Sequence, residues 1–298
     1  MIKRTLFFAN PAYLSTKNEQ LVVSYPNTEE PTRTVPIEDV GIIVLENQQI
    51  TVTNSLLDRL IQNKTLVVAC NRQHLPVGLL MPMIGHTEQT ERFINQLNAS
   101  VPLKKNLWAQ TIKAKIANQA RLLRIREIDT ENMSYWEKSV ASGDPQNYEG
   151  RAAAYYWSVV FKGKFLRDRE GEAPNHLLNY GYAILRAITA RALIGSGLLP
   201  ILGIFHRNKY NALCLADDIM EPYRPFVDSL VCELVDNEEV TEELSHKQKM
   251  HLLGIAAMDV LMEGKRSPLL TAMSRTTHSL QECFSGVSRR ILYPEMVL

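Results

Sequence analysis

The chain has 298 residues, of which 45% are hydrophobic and 22% are charged. These fractions are typical of a globular protein with a sizeable core and exclude a predominantly disordered chain. The 33 Lys and Arg residues are balanced by 32 Asp and Glu residues, so the overall charge neither indicates nor excludes a nucleic-acid partner.

Short β-rich segments dominate the chain up to about residue 85, separated by Asn, Pro, Gly and Asp. They are RTLFFAN, QLVVSY, GIIVLEN, TLVVAC and PVGLLM. One helix fits between the third and fourth segments, because leucines recur at helical spacing after Thr53 or Asn54, either of which can cap it.

Helical periodicity dominates after Gly85 and predicts helices at about 88–97, 104–127, 145–161, 175–195, 222–236, 241–263 and 267–287. The sequence therefore predicts a two-domain α+β protein. A small N-terminal β-rich domain over residues 1–85 is followed by an all-helical C-terminal domain over residues 86–298.

No membrane-spanning segment is predicted. The longest apolar stretch, 192–205, is interrupted by Gly, Ser and Pro and falls short of the roughly 20 apolar residues that a membrane helix needs. The four cysteines have no metal-like or redox-like spacing, which favours reduced thiols in a cytoplasmic protein.

Glu149 is the first candidate functional residue. Asp144 and Pro145 resemble an N-cap and a first helical position, so a helix should begin there. Apolar residues follow Glu149 on one face of this helix: Ala152, Ala153, Tyr156 and Val160. A carboxylate at the head of an apolar stripe needs an ion-pair partner, a raised pKa or a metal ion, and an ion pair is the commoner solution.

A second candidate group lies between residues 203 and 221. His206 follows the apolar pair Ile204–Phe205, and the acids Asp217, Asp218 and Glu221 follow within fifteen residues. A lone histidine is weak evidence, and N-capping explains only one of the three acids. Carboxylates directed into one cleft would repel one another unless a cation were bound. Oxygen ligands with one imidazole suit Mg²⁺ or Mn²⁺ better than Zn²⁺.

Three stretches resemble the CRISPR spacer-acquisition integrase family, in particular its subgroup that accompanies the large single-chain RNA-guided nuclease. They are PIEDVGIIVLENQQITVTNSLLDRLIQN, NYEGRAAAYYW and NHLLNYGYAILRAITARALIGSGLLPILGIFHRNKYNALCLADDIMEPYRPFVD. The resemblance implies that Glu149, His206 and Glu221 are the catalytic metal ligands, with Asp218 as a supporting acid. The implied cofactor is Mg²⁺ or Mn²⁺.

The same resemblance implies partners and an activity. The N-terminal β-domain would form a homodimer, and two such dimers would flank a dimer of a small second adaptation protein in a heterohexamer. The complex would capture a double-stranded prespacer and insert its 3′ ends into the CRISPR repeat by attack of a 3′-hydroxyl on a phosphodiester. Water as the nucleophile would give endonuclease activity.

Basic residues near these candidates are predicted DNA contacts. The segment from Lys104 to Arg126 has seven basic residues and no acid, although a solvated helix face would look the same. Three further cations, Arg207, Lys209 and Arg224, flank the candidate ligands. The predicted contacts are Lys104, Lys113, Lys115, Arg121, Arg207 and Arg224.

Two alternatives remain open from the sequence. The main one is a catalytically silent DNA-binding scaffold in which Glu149 and Glu221 pair with Arg207 and Arg224. The other is a metallohydrolase that acts on small phosphoesters, which requires a closed pocket instead of an open basic groove.

Overall fold

The computed structural model describes residues 3–26, 28–161, 163 and 165–297. The chain divides after Met83 into two compact units. The sequence places the domain boundary two residues later. In the described part of the chain, no helix is long and apolar enough to cross a membrane.

The described residues of the first unit form two four-stranded sheets, one α-helix and a short 3-10 turn, Ile37–Asp39. Its strands are β1 (Arg4–Phe8), β2 (Tyr13–Lys17), β3 (Gln20–Ser24), β4 (Arg33–Pro36), β5 (Val40–Leu45), β6 (Thr51–Val52), β7 (Leu66–Cys70) and β8 (Pro76–Leu80). One sheet has the order β1-β5-β7-β8 and the other β4-β3-β2-β6. The five β-rich segments of the sequence correspond to β1, β3, β5, β7 and β8.

The predicted helix of this unit is α1 (Asn54–Gln62), which connects β6 to β7. The Thr53 side chain accepts a hydrogen bond from the backbone N–H of Leu56 and caps the helix. Leu56 and Leu60 are buried in the core of the unit together with Ile43 and Val67. Helix α1 is therefore fixed by a cap at one end and by its apolar face.

The second unit is predominantly helical. Its helices are α2 (Gln89–Leu97), α3 (Val101–Ile125), α4 (Glu131–Ser139), α5 (Tyr148–Val159), α6 (Asn175–Gly195), α7 (Cys214–Met220), α8 (Arg224–Asp236), α9 (His246–Leu253) and α10 (Leu269–Phe284). Helix α6 is largely buried and packs closely on α8 at Gly181, where a Cβ would lie 2.4 Å from Val227 Cγ1. The α+β organisation predicted from the sequence, strands followed by helices, is confirmed.

The prediction of one helix over 241–263 is wrong. A capping box of Ser245 and Gln248 begins α9 at His246, and the helix ends at Leu253. Strands β9 (Asp259–Met262) and β10 (Lys265–Pro268) then form an antiparallel hairpin. Glu263 and Gly264 both have positive φ, which a tight turn requires and a helix excludes. The second unit is therefore not all-helical.

A buried polar cluster lies between α5, α6 and α8. The Tyr156 hydroxyl donates a hydrogen bond to Asp228 Oδ2, and the Tyr182 hydroxyl donates one to Asp228 Oδ1. Asp228 is 1% exposed. Burial raises the pKa of Asp228 from its ordinary value of 3.8 to about 6, although the two tyrosines and Arg224 oppose the shift. The protonated form of the Asp228 carboxyl is therefore more strongly favoured in the folded state than in the unfolded chain.

We expect Asp228 to make stability depend on pH. A carboxyl whose pKa is raised by folding contributes stability below its unfolded pKa, and that contribution is lost as pH rises through the folded pKa. Between about pH 4 and about pH 7 the free energy of unfolding should fall by about 2 to 3 kcal/mol more in the unmodified protein than in Asp228→Asn. Denaturant unfolding of both proteins across this range measures the difference, and parallel pH profiles would contradict it.

Candidate active site

Glu149 lies in the first turn of α5, where the N-terminal end of a helix favours a carboxylate. The predicted cap is only partly correct, because the helix begins at Tyr148, three residues later than expected. Asn147, with φ 53°, is the N-cap, and its side chain accepts from the backbone N–H of Gly150. Asp144 contributes from outside the helix, since its two oxygens accept from the backbone N–H groups of Tyr148 and Glu149.

Asp218 holds the loop that carries His206. The Asp218 side chain is fully buried, and it accepts hydrogen bonds from the backbone N–H groups of Ile204, Phe205 and His206 at 2.7–3.1 Å. The loop passes so close that a Cβ on Gly203 would lie 2.8 Å from Asp218 Oδ2. A glycine is therefore needed at this position.

The same carboxylate orients the imidazole. Asp218 Oδ1 lies 2.5 Å from His206 Nδ1, and this hydrogen bond raises the pKa of His206 although partial burial opposes it. A hydrogen bond at Nδ1 leaves Nε2 as the ring nitrogen available to a ligand, the usual arrangement of a metal-binding histidine. Asp218 is therefore a positioning residue for His206.

An aromatic stack also anchors the loop that carries His206. The ring of Trp108, on α3, stacks on Phe205 with 4.1 Å between centroids, and it meets the His206 ring edge-on at 5.8 Å. Trp108 is 1% exposed, so the stack anchors the loop to the interior of the unit. No sequence pattern around Trp108 indicates this role.

Glu221 lies in a short 3-10 turn, Glu221–Tyr223, between α7 and α8. Its side chain is 6% exposed and pairs with two cations. Oε1 lies 2.9 Å from Arg224 Nε, and Oε2 lies 2.7 Å from Lys115 Nζ. Burial raises the pKa of the Glu221 carboxyl, but Arg224 and Lys115 outweigh burial and lower it to about 2. Glu221 is therefore a buried carboxylate that stays charged.

Lys115 lies between the two predicted carboxylate ligands. Its Nζ is 2.6 Å from Glu149 Oε1 and 2.7 Å from Glu221 Oε2, and its side chain is 11% exposed. Burial lowers the pKa of Lys115, but the two carboxylates outweigh burial and raise it. The sequence-based assignment of Lys115 to the DNA-contacting surface is corrected here, because its ammonium is buried and directed at the carboxylates.

Asp217 has a different partner. Its carboxylate lies 2.6 Å from Nε and 2.9 Å from Nη2 of Arg186 on α6. The three acids that are crowded in sequence therefore point to three different groups: a guanidinium, a histidine loop and a pair of cations. Their mutual repulsion is met by the protein's own donors and cations.

The donor atoms of Glu149, Glu221 and His206 suit a hard divalent cation. Glu149 and Glu221 already direct oxygens at one positive atom, and His206 has a nitrogen free of Asp218. Within the described ranges, no three His, Cys, Asp or Glu side chains are grouped closely enough to hold a metal ion. Two of the three predicted ligands are brought together, with Lys115 Nζ between them, 2.6 Å from Glu149 Oε1 and 2.7 Å from Glu221 Oε2.

Two basic clefts lie on opposite faces of α3. One, with a volume of about 360 Å³, contains His206 together with Lys104, Arg207 and Lys209. The other, of about 1040 Å³, lies between α3 and the C-terminal segment 289–295. Its basic lining residues are Lys113, Arg121, Arg124, Arg289 and Arg290. The helical repeat explains why the two clefts are separate. Lys104 lies on the same face of α3 as Trp108 and Lys115, and Lys113 lies on the opposite face.

Asn118 is a further positioning residue that the sequence analysis missed. It is buried on α3, and its Nδ2 donates to the carbonyl oxygens of Pro222 at 2.8 Å and Pro294 at 3.0 Å. Its Oδ1 accepts from the backbone N–H of Met296. Asn118 thereby fastens the turn that carries Glu221 to the same helix that carries Lys115. Its position in the sequence does not stand out, because Lys115 and Arg121, three residues away on either side, are also polar.

Both the sequence and the fold of the chain resemble those of known proteins. The model of the family described as CRISPR associated protein Cas1 matches residues 6–263. A CRISPR-associated endonuclease Cas1 from Neisseria meningitidis serogroup C is 36% identical over 283 residues, covering 94% of this chain and 92% of the relative.

Solved structures show the same fold at lower identity. A casposase bound to integration product is 18% identical with a TM-score of 0.77, over 98% of this chain and 92% of the other. A Cas6-RT-Cas1–Cas2 complex is 18% identical with a TM-score of 0.74, over 99% of this chain and 36% of the other. Because the family model spans most of the sequence and a relative is 36% identical along nearly all of it, the chain belongs to the CRISPR-associated Cas1 family.

Proposed function

We propose that the chain is a divalent-metal-dependent DNA endonuclease and integrase that inserts spacer DNA into a CRISPR repeat array. Membership of the Cas1 family supports the nuclease and integrase role in CRISPR adaptation. The observation that carries the site assignment is the convergence of Glu149 and Glu221 on a single cation, Lys115 Nζ, at 2.6 and 2.7 Å. The fold it shares with a casposase is consistent with this chemistry.

Glu149, Glu221 and His206 Nε2 would hold the ion, Mg²⁺ or Mn²⁺. When bound, the ion supplies Lewis-acid chemistry to a phosphodiester. Asp218 keeps the imidazole in the tautomer with its proton on Nδ1, which makes Nε2 a lone-pair donor. Lys104, Arg207 and Lys209, which line the cleft with His206, would hold the DNA phosphates by charge.

The proposed reaction would be an in-line displacement at phosphorus. A DNA 3′-hydroxyl forms the new P–O bond while the P–O bond to the leaving strand breaks, and the proton of the attacking hydroxyl is lost as the leaving oxygen gains one. Water in place of the 3′-hydroxyl gives hydrolysis and therefore strand cutting.

One observation favours the alternative of a catalytically silent scaffold. Both carboxylates are paired with the protein's own cations, Glu149 with Lys115 and Glu221 with Lys115 and Arg224. Arg224 is a partner of Glu221, as the scaffold alternative expects, but that alternative does not include Lys115. Metal-dependent joining of DNA ends by the pure protein separates the two functions.

The partners that we propose are double-stranded DNA, a second copy of the chain and the small second adaptation protein. A complex whose name includes Cas2 shares the fold, which supports the last of these. For the second copy, the relevant surface is β8, which among the described strands pairs only with β7 and so leaves one edge open. Val77 on this strand is 65% exposed.

We expect substitution of any one proposed ligand to abolish strand joining. Glu149→Gln, His206→Ala and Glu221→Gln each remove one donor, and the remaining two cannot fix an ion. A duplex with free 3′ ends and a plasmid that carries the repeat, incubated with Mn²⁺ and the partner protein, provides the assay. Glu242→Gln, on an exposed loop, is the control for loss of one carboxylate and should retain activity. Joining by Glu149→Gln at the unmodified rate would overturn the assignment.

Both basic clefts should contribute to the salt dependence of DNA binding. Replacing Lys104 and Arg207 by Gln should lower the slope of log K against log salt by roughly 1.8, since each lost phosphate contact contributes about 0.9. The matched pair Lys113→Gln and Arg121→Gln tests the cleft on the other face of α3, where we expect the same change. An unaltered slope in either double variant would show that its cleft does not contact phosphates.

Disrupting the β8 edge should weaken self-association. Val77→Asp places a charge on the exposed face of this strand, where burial against a second copy would be costly. Sedimentation across micromolar concentrations should show a shift from dimer to monomer. Thr34→Asp, on the edge strand β4 of the other sheet, is the control and should leave the dimer unchanged. A monomeric unmodified protein at every concentration would remove the dimer from the proposal.

A further inference from the structure

Lys115 contacts both carboxylates through one atom. Its Nζ lies within 2.7 Å of an oxygen from Glu149 and of an oxygen from Glu221, although these residues belong to different elements far apart in sequence. Lys115 projects from the middle of α3, the 25-residue helix whose neighbouring residues Ile112 and Ile116 are fully buried. The ammonium is thus held by a rigid helix at the point where the two carboxylates converge.

Arg224 contacts the same site in a different way. Its Nε lies 2.9 Å from the other oxygen of Glu221, Oε1, and its guanidinium lies 4.6 Å above the ring of Tyr182. Arg224 therefore stabilises Glu221 without occupying the space between Glu221 and Glu149. Of these two cations, only Lys115 is in the position that an ion shared by both carboxylates would need.

We propose that Lys115 is a positioning residue that holds Glu149 and Glu221 together and competes with the divalent cation for the same two oxygens. This inference rests on the proposed function, because it concerns the ion that the proposed ligands would bind. Mg²⁺ approaches its oxygen ligands to about 2.0–2.1 Å, so the ion and the ammonium cannot share both oxygens. Ion binding then requires the ammonium to leave at least one carboxylate, and Lys115 sets the metal affinity.

The sign of the effect follows from charge. Replacing Lys115 by Met keeps an unbranched apolar stem of similar length and removes the positive charge next to two carboxylates. Without an ion, Glu149 and Glu221 repel each other and the folded protein should be less stable. With an ion, the competitor is gone, so Mn²⁺ should bind at least about tenfold more tightly.

Calorimetric titration of the full chain with Mn²⁺, in the absence of DNA, tests the proposal. Lys115→Met should bind Mn²⁺ at least about tenfold more tightly than the unmodified protein, and Mn²⁺ should raise its melting temperature by more. Lys115→Arg, which keeps the charge, should bind with near-normal affinity. Lys113→Met removes the same charge from the opposite face of α3 and should leave Mn²⁺ affinity unchanged.

Glu149→Gln separates failure of this inference from failure of the proposed function. If the unmodified protein and Glu149→Gln bind Mn²⁺ equally, the assigned metal site is wrong and the inference falls with it. If Glu149→Gln binds more weakly but Lys115→Met binds no more tightly than the unmodified protein, the site stands and the competition is overturned. Lys115→Gln, with a neutral polar end, replaces Lys115→Met in the same comparison if the latter does not fold.

Discussion

The arrangement of the candidate active site depends on pairing one buried carboxylate, Glu221, and one half-buried carboxylate, Glu149, with one ammonium. Glu149 and Glu221 come from the start of one helix and from a short turn between two others, and each is shielded from water to a different degree. Two carboxylates brought together in such a site repel each other unless a cation lies between them. Lys115 supplies that cation from a third element, so α3, α5 and the turn before α8 must keep their relative positions.

Helix α3 meets this requirement because its faces have separate roles. One face carries Trp108, which anchors the His206 loop, and Lys115, which joins the carboxylates. Asn118, one turn further along, fastens the turn of Glu221 and the C-terminal segment. The opposite face carries Lys113 and Arg121 along a second basic cleft. A change in the rotation of this helix would alter the proposed metal site and both clefts together.

The α+β organisation and most helices could be predicted from the sequence, because they depend on periodicity and caps, while the candidate site residues rest on a recognisable motif and stay a prediction. The hairpin β9–β10 could not, since its apolar residues also fit a helix and only the turn at Glu263 and Gly264 decides between them. The start of α5 was misplaced because Asp144 accepts from the same N–H groups as an N-cap does, but from outside the helix. The role of Lys115 was missed because charge patterning along one helix does not reveal which carboxylates lie across from it.

The acidic cluster of Asp217, Asp218 and Glu221 shows why proximity in sequence is a poor guide to shared ligands. Asp218 is fully buried and surrounded by backbone N–H groups and His206 Nδ1, so its charge is already compensated by four donors. A carboxylate in that setting would lose these hydrogen bonds if it turned to a metal ion, and the loop of His206 would lose its anchor. Glu221 is compensated by two cationic side chains instead, Lys115 and Arg224, and neither belongs to the backbone network that holds the His206 loop. The kind of group that each acid faces therefore distinguishes Asp218, which orients His206, from Glu221, the acid that we propose as a ligand.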